Sequence, residues 1–168
     1  MRFIYNGVLL REIPDEVSLG FTLLGCPRHC DGCHSSEYWD TKVDKSLGLE
    51  FTYDNIADIL RCVPVDFENC TCITFFGGDW NIDEFSETIM SLRRSYLLND
   101  KHLAWYTGEE QDVIFGPRYC TTTNMFDYVK FGPYKKELGD LTCKSTNQRM
   151  WYNVWKDITY MFNGDNKK

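Results

Sequence analysis

The sequence predicts an α/β fold in which parallel strands form an open, incomplete TIM-like barrel with helices on its outside. Apolar, strand-forming runs alternate along the chain with segments of helical period, and this alternation is typical of parallel sheets with right-handed crossovers. A closed barrel of eight such units needs roughly 250 residues, whereas the chain has 168. We therefore expect part of a barrel, in a single domain over residues 1–168 with a frayed polar tail at residues 163–168.

Each predicted element has a local sequence signal. The first strand is an apolar run that ends at a cysteine, and the first helix has Thr52 as its N-cap. Later strands end at Gly-Gly, Thr-Gly and Gly-Pro pairs. The predicted strands are residues 17–25, 70–76, 102–106, 126–131 and 150–154, and the predicted helices are residues 52–63, 82–98 and 109–115. In such a sheet the segments that follow the strands converge on one rim, where ligands bind.

Composition argues against several classes of partner. The net charge of −7 disfavours a nucleic-acid binder, because phosphate contacts need clustered Lys and Arg. The N-terminal residues contain no apolar core of a signal peptide, and no segment approaches the length of a membrane span. We expect a cytoplasmic protein that binds neither nucleic acid nor membrane. In that reducing compartment its eight cysteines are expected to bind metal or do chemistry rather than form disulfides.

Cys26, Cys30 and Cys33 form a Cys-x3-Cys-x2-Cys loop directly after the first predicted strand. Three thiolates on one short loop can hold three irons of a cubane 4Fe-4S cluster, because thiolates are the soft donors that such clusters favour. The fourth iron then has no protein ligand, so a substrate can bind it directly. The spacing therefore predicts an iron–sulfur cluster with one open iron.

The same loop also fits a zinc knuckle in which His29 or His34 is the fourth ligand. Zinc sites more often consist of two separated Cys-x2-Cys pairs, and the spacing of Cys70 and Cys72 does not supply a second pair. The cysteines outside the loop are interpreted as small buried hydrophobic residues, with Cys70 and Cys72 on one face of a strand. These cysteines are Cys62, Cys70, Cys72, Cys120 and Cys143.

Longer motifs add a resemblance to a known family. The cysteine loop resembles the signature of the radical S-adenosylmethionine (SAM) superfamily, which implies a partial barrel of the radical SAM type. The string GCPRHCDGCH at residues 25–34, followed by SSEYWD, is similar to one branch, the activating enzymes of anaerobic (class III) ribonucleotide reductase. Further matches are FGGD at residues 76–79, WYTG at 105–108, DYVKFGPY at 127–134 and STNQR at 145–149.

This resemblance implies an enzyme, a radical SAM oxidoreductase with a 4Fe-4S cluster on Cys26, Cys30 and Cys33 and with SAM bound at that cluster. Its implied activity is the activation of a glycyl radical enzyme. An electron from a donor such as flavodoxin cleaves SAM, and the resulting 5′-deoxyadenosyl radical creates a glycyl radical on the large subunit of anaerobic ribonucleotide reductase. The implied partners are therefore the glycyl radical loop of that subunit and the electron donor.

The resemblance assigns the Gly-Gly-Asp motif to SAM. By resemblance, Gly77, Gly78 and Asp79 meet the amino group of SAM. Glycines allow close approach of the backbone, and a carboxylate accepts hydrogen bonds from an ammonium group. Trp80 stands where the family usually has proline. Taken alone, the motif also fits an ordinary turn.

Other residues are assigned to SAM less directly. By resemblance, Gly32, Cys33 and His34 lie beside the adenine and contact it largely through backbone atoms. Thr107 and Lys130 end later strands, within reach of the ribose or the carboxylate of SAM in this interpretation. Both also fit ordinary structural positions, a strand-end hydroxyl and a lysine whose stem covers apolar surface.

Two points stay open at the level of sequence. The polar segment at residues 147–149 either closes the site, contacts the reductase or caps a turn. The function has two alternatives. One is a small radical SAM enzyme that acts on a small molecule, similar to a deazapurine synthase. The other is a zinc-binding module without catalytic activity.

Overall fold

The computed structural model describes residues 1–98, 100–153 and 155–164. In these ranges the strands belong to one sheet, and three single 3-10 turns lie at Ser36–Tyr38, Asp79–Asn81 and Tyr96–Leu98. The strands are β1 (Arg2–Leu9), β2 (Ser18–Leu24), β3 (Leu49–Glu50), β4 (Cys72–Phe76), β5 (His102–Tyr106), β6 (Tyr128–Phe131), β7 (Arg149–Tyr152) and β8 (Lys156–Asp157). The helices are α1 (Tyr53–Cys62), α2 (Pro64–Asn69), α3 (Ile82–Arg94), α4 (Gln111–Ile114), α5 (Cys120–Thr123) and α6 (Tyr160–Asn163). Among the described helices, none combines the length and the hydropathy that crossing a membrane requires.

The sheet is open and mixed, with the strand order β3-β1-β2-β4-β5-β6-β7-β8. Its centre, β2-β4-β5-β6, is parallel as the sequence predicts. The expectation of parallel strands throughout is wrong at the outer positions, because β1 and β7 pair antiparallel with β2 and β6. The short connection from β1 to β2 explains one of these pairings, since a parallel pair needs a crossover of a dozen or more residues.

Several predicted elements are confirmed and others need correction. The predicted strand at residues 17–25 corresponds to β2, and that at residues 102–106 is β5. Helix α1 begins after Thr52, whose Oγ1 accepts a hydrogen bond from the Asn55 backbone N–H at 3.3 Å. The predicted helix at residues 82–98 is too long. It ends at Arg94 because Ser95 adopts extended backbone and its N–H closes the last turn.

Predicted strands near the C-terminus are also shorter than expected. The strand predicted at residues 126–131 begins only at Tyr128, and that predicted at residues 150–154 is observed as β7, which ends at Tyr152. Val154 and the last four residues of the predicted tail lie outside the described residues.

One face of the sheet, here called the helix-covered face, carries an aromatic core. Phe21 of β2, Phe75 of β4 and Trp105 of β5 are fully buried there, and α3 contributes Phe85. The rings of Phe85 and Phe126 are stacked with their centroids 5.9 Å apart. Such contacts add to the burial of large apolar area, so this face accounts for most of the apolar packing.

The opposite face, here called the cavity face, carries small residues in its middle row, Gly20, Thr74 and Ala104. At Gly20 a Cβ would overlap the side chain of Leu9, so the Leu9 side chain of β1 covers β2 at this point. A second, smaller cluster of buried residues covers this face toward the amino ends of the central strands, and it includes Cys72, Ala104 and Ile13. Near the carboxyl ends of the central strands the face opens into a cavity.

The cysteines outside the loop do not behave uniformly. Cys70 and Cys72 are buried, as predicted, but Cys62 is exposed. The expectation that Cys70 and Cys72 share one face is wrong, because Cys70 packs in the aromatic core and Cys72 in the smaller cluster. Cys70 follows α2 and precedes β4, so the alternation of strand side chains does not extend across both residues.

Candidate functional site

A cavity of about 600 Å³ lies at the carboxyl ends of the central strands. Four of its lining residues, Thr22, Phe76, Tyr106 and Lys130, are register partners on neighbouring strands and form one row across the sheet. Cys33 also lines the cavity. The cavity therefore joins the end of the parallel sheet to the cysteine loop, which is the placement that ligands favour in sheets of this kind.

The cysteine loop is anchored at its base. Gly25, in the left-handed region at φ +93°, follows β2 and turns the chain out of the sheet. The backbone N–H groups of Gly25 and Cys26 donate to the Tyr38 carbonyl at 2.9 and 3.3 Å, and the Asp40 N–H donates to the Cys26 carbonyl at 3.2 Å. The segment that follows the loop thus closes it into a compact unit.

Within the loop, two residues in the left-handed region set the path of the backbone. His29 has φ +49°, its ring Nε2 is hydrogen-bonded to Asp40 Oδ1, and the ring lies 4.8 Å from the Trp39 ring. Gly32 has φ +74°, and the Cys33 N–H donates to the Cys30 carbonyl at 3.1 Å across the same turn. Contacts within the chain therefore support this shape of the loop.

The three loop thiols are free and half-buried, so each remains accessible to a ligand. Burial raises the pKa of the Cys26 thiol, while a hydrogen bond from the Arg28 backbone and the Arg28 charge act in the opposite direction. Within residues 1–98, 100–153 and 155–164, no group of three or more His, Cys, Asp or Glu side chains is arranged to hold a metal ion. A cubane cluster makes a different demand from a single metal ion, because it spreads its thiolates over separate irons.

Positive charge lies beside the thiols. Lys130 donates a hydrogen bond from Nζ to the Gly132 carbonyl at 3.1 Å. Burial lowers the pKa of Lys130 to about 8, and the nearby Cys30, Asp79 and Cys33 oppose that shift. A thiolate-bound cluster carries negative charge, which a lysine in this position would compensate. The donor set and its surroundings therefore fit a 4Fe-4S cluster.

The Gly-Gly-Asp motif follows β4, as predicted, but its glycines have a local structural cause. Gly77 and Gly78 have φ values of +87° and +91°. A Cβ at Gly77 would lie 2.8 Å from the Trp80 ring, and one at Gly78 would lie 2.5 Å from the Phe85 ring. Both glycines make room for rings of this chain, and Trp80 covers Gly77. Their predicted contact with SAM stays a prediction.

Asp79 is 2% exposed and its carboxylate is surrounded by donors of this chain. Its Oδ2 accepts hydrogen bonds from Thr107 Oγ1 at 2.7 Å, from the Gly108 N–H at 3.0 Å and from Arg28 Nη2 at 3.0 Å. The structure thus brings Asp79 and Thr107, two residues predicted for SAM, into direct contact. Arg28, which the sequence analysis did not single out, links them to the cysteine loop.

Each of the remaining predicted residues lines the cavity or contacts a residue that lines it. His34 lines it, and its ring lies 5.8 Å from that of Tyr134. Gly32 also lies next to Tyr134, since a Cβ there would be 3.4 Å from Tyr134 Cε1. Lys130 and Thr107 are joined through their backbones, with the Thr107 N–H donating to the Lys130 carbonyl at 2.8 Å. The segments that follow the strands therefore converge on one rim.

The polar segment at residues 147–149 caps the turn that follows β6. Asn147 Nδ2 donates to the Pro133 carbonyl at 2.9 Å, and Gln148 Nε2 donates to the Gly132 carbonyl at 3.2 Å. Gln148 also lines the cavity. Of the interpretations left open by the sequence, turn capping is therefore observed, in a position that also closes one side of the cavity.

Sequence reasoning missed several lining residues. Thr22, Phe76 and Tyr106 line the cavity beside Lys130, and the alternation of side chains along the strands was the signal for them. Glu12 was missed without such a signal, because it lies in the connection after β1. Burial raises the pKa of the Glu12 carboxyl group, and the Glu12 main-chain carbonyl accepts a hydrogen bond from the Tyr106 hydroxyl.

Comparison with known proteins gives one match. A family model described as a 4Fe-4S single cluster domain matches residues 17–151, which run from the start of β2 into β7 and include the cysteine loop. No curated protein and no solved structure matches the chain.

Proposed function

Because the chain belongs to the family of 4Fe-4S single cluster domains, we propose that Cys26, Cys30 and Cys33 hold a 4Fe-4S cluster at which SAM is cleaved. The observation that carries the proposal is a loop of three free, half-buried thiols, of which Cys33 lines a cavity of about 600 Å³ at the end of a parallel sheet. Three protein thiolates leave one iron of a cubane cluster free to bind a substrate.

The cavity has the size and the lining for a nucleoside that carries an amino-acid group. Its volume falls within the range of about 300–1,000 Å³ that is typical of small-molecule sites. Phe76 and Tyr106 supply neighbouring aromatic rings, with centroids 4.9 Å apart, against which a purine can pack. Lys130 supplies a cation for a carboxylate. These features support SAM as the ligand.

A 4Fe-4S cluster held by Cys26, Cys30 and Cys33 would supply one electron to the sulfonium of SAM, and cleavage of the S–C5′ bond would give methionine and a 5′-deoxyadenosyl radical. The residues of this chain then have three tasks: to orient SAM, to exclude water and to balance charge. Lys130 and Arg28 lie beside the thiols and offset the negative charge of the site. The buried Asp79 holds the ends of β4 and β5 together through Thr107 and the Gly108 backbone.

The proposed substrate of the radical is a glycine of the large subunit of anaerobic ribonucleotide reductase. Hydrogen transfer from that glycine gives 5′-deoxyadenosine and a stored glycyl radical. Support comes from the similarity of five sequence segments to the activating enzymes of that reductase. The proposal includes a one-electron donor such as flavodoxin and a cytoplasmic setting.

The first test is spectroscopic. The protein is purified without oxygen, reconstituted with iron and sulfide, reduced, and examined by EPR with and without SAM. A 4Fe-4S signal that changes shape with SAM, and is lost in Cys26→Ala, Cys30→Ala and Cys33→Ala, is expected. Cys62→Ala is the matched control, because Cys62 is exposed and lies outside the loop. A colourless protein with one zinc and no response to SAM would overturn the proposal.

The second test identifies the substrate. After SAM cleavage in the presence of the matching reductase, a glycyl radical signal on the large subunit is expected. A cluster that cleaves SAM but never produces that signal would favour a small-molecule substrate of the deazapurine type. The two experiments therefore separate the cluster chemistry from the identity of the partner.

A further inference from the structure

We infer that Arg28 is a positioning residue that fixes the cysteine loop against the sheet and sets the charge beside the cluster. This inference rests on the proposed function, because it concerns the cluster that the loop is proposed to hold. Arg28 lies between the first and second cysteines, and its side chain leaves the loop and reaches the ends of two central strands.

The contacts of Arg28 form the link. Its Nη2 lies 3.0 Å from Asp79 Oδ2 and 2.6 Å from Glu109 Oε1, between two carboxylates. The side chain of Asp79 is only 1% exposed. Tyr119 closes the network, with its hydroxyl donating to the Asp79 carbonyl at 2.9 Å. Charge-assisted hydrogen bonds in buried surroundings are stronger than those at the surface, so the link is well placed to hold the loop.

The path of the side chain requires a glycine. A Cβ at Gly108 would lie 2.7 Å from both Cδ and Nε of Arg28. The bare Cα of Gly108 thus leaves the channel through which Arg28 reaches Asp79. The Gly108 N–H donates to that same carboxylate, so the backbone that follows β5 and the loop side chain converge on one acceptor.

Arg28 also retains an unused donor. Among the described residues, its Nε is buried and has no hydrogen-bond partner. A buried donor of this kind ordinarily finds an acceptor. An anionic cluster on the flanking cysteines supplies negative charge and sulfur acceptors, and hydrogen bonds to sulfur and nearby positive charge raise the reduction potential of such clusters.

The test compares three variants in the reconstituted full chain. Arg28→Gln removes the charge and the link. Arg28→Lys retains the charge but not the fork of donors. Gly108→Ala displaces the Arg28 side chain and removes no charged group. Arg61→Gln is the matched control, since Arg61 is exposed and pairs only with the exposed Asp58 among the contacts described. Circular dichroism of each apoprotein verifies folding.

Two readouts follow the cluster without relying on activity. In Arg28→Gln and Gly108→Ala we expect about tenfold weaker retention of iron against a chelator, in line with the loss of outer contacts around metal sites. We expect the midpoint potential from EPR redox titration to become more negative in Arg28→Gln and to return close to the wild-type value in Arg28→Lys. The control should match the wild type in both.

The outcomes separate the inference from the proposed function. A wild-type protein that takes up no cluster defeats the proposed function. A wild-type cluster that Arg28→Gln and Gly108→Ala leave unchanged in retention and potential overturns the inference alone. If Arg28→Gln does not fold because two carboxylates lose their cation, Gly108→Ala and Arg28→Lys decide the question, since both keep the charges of the network.

Discussion

The two faces of the sheet are filled in different ways by the same strands. On the helix-covered face, Phe75 of β4 and Trp105 of β5 are fully buried in an aromatic core. The neighbouring residues Phe76 and Tyr106 point to the cavity face and line the cavity. Because successive side chains of a strand alternate between faces, adjacent positions serve stability and binding. Substitutions on the two faces are therefore expected to have separable effects.

The largest expected effect concerns Cys72, which is fully buried in the smaller cluster on the cavity face. Burial raises the pKa of Cys72 to about 12, which lowers the thiolate fraction about a thousandfold at neutral pH. Cys62 is exposed. Iodoacetamide treatment of the anaerobic apoprotein, followed by peptide mass spectrometry, should label Cys62 rapidly and Cys72 only after unfolding. Equal labelling of Cys62 and Cys72 in the folded apoprotein would show that the cavity extends to the amino end of β4, where Cys72 lies.

A second prediction concerns the contribution of the helix-covered face to the free energy of unfolding. Phe126 is 3% exposed, and its ring is stacked on those of Phe85 and Trp105. Phe126→Ala should lower the free energy of unfolding by about 3–5 kcal/mol, measured by urea denaturation of the apoprotein. Tyr96→Ala is the control, because Tyr96 is 90% exposed and its loss should change stability by less than about 0.5 kcal/mol. A loss below about 1 kcal/mol for Phe126→Ala would contradict a tightly packed core.

A third, smaller effect is expected at Gly77, in the turn that follows β4. Gly77→Ala should cost about 2 kcal/mol, part from the left-handed backbone and part from overlap with the Trp80 ring. In a Trp80→Ala background only the backbone part remains, so the same substitution should cost about 1 kcal/mol. Urea denaturation of the four proteins of this cycle measures the difference. Equal costs in both backgrounds would mean that Trp80 does not restrict this turn.

Much of the central sheet is readable from the sequence. Strands β2 and β5 are compact apolar runs bounded by glycine or polar residues, and such runs have few alternatives to a buried strand. Strand β1 was missed because its alternation is broken by a register shift between Tyr5 and Gly7. Helix α3 was predicted too long because its apolar period continues into a 3-10 turn, and local sequence does not show where extended backbone intervenes.

The candidate site was predictable only in part. The cysteine loop depends on spacing within eight residues, which is directly visible. The contact between Arg28 and Asp79 joins residues 51 positions apart, and nothing local indicates which carboxylate a given arginine will meet.

The two outer strands of the sheet are each only two residues long, Leu49–Glu50 and Lys156–Asp157. Unpaired backbone groups along a sheet margin are a template on which further strands can add, and short, charged margins limit that growth. These two strands are therefore poor templates for fibre-like self-association through main-chain pairing. A protein that docks at them is expected to be recognised mainly by side chains, so its affinity should respond to surface substitutions more than to the sequence of an added strand.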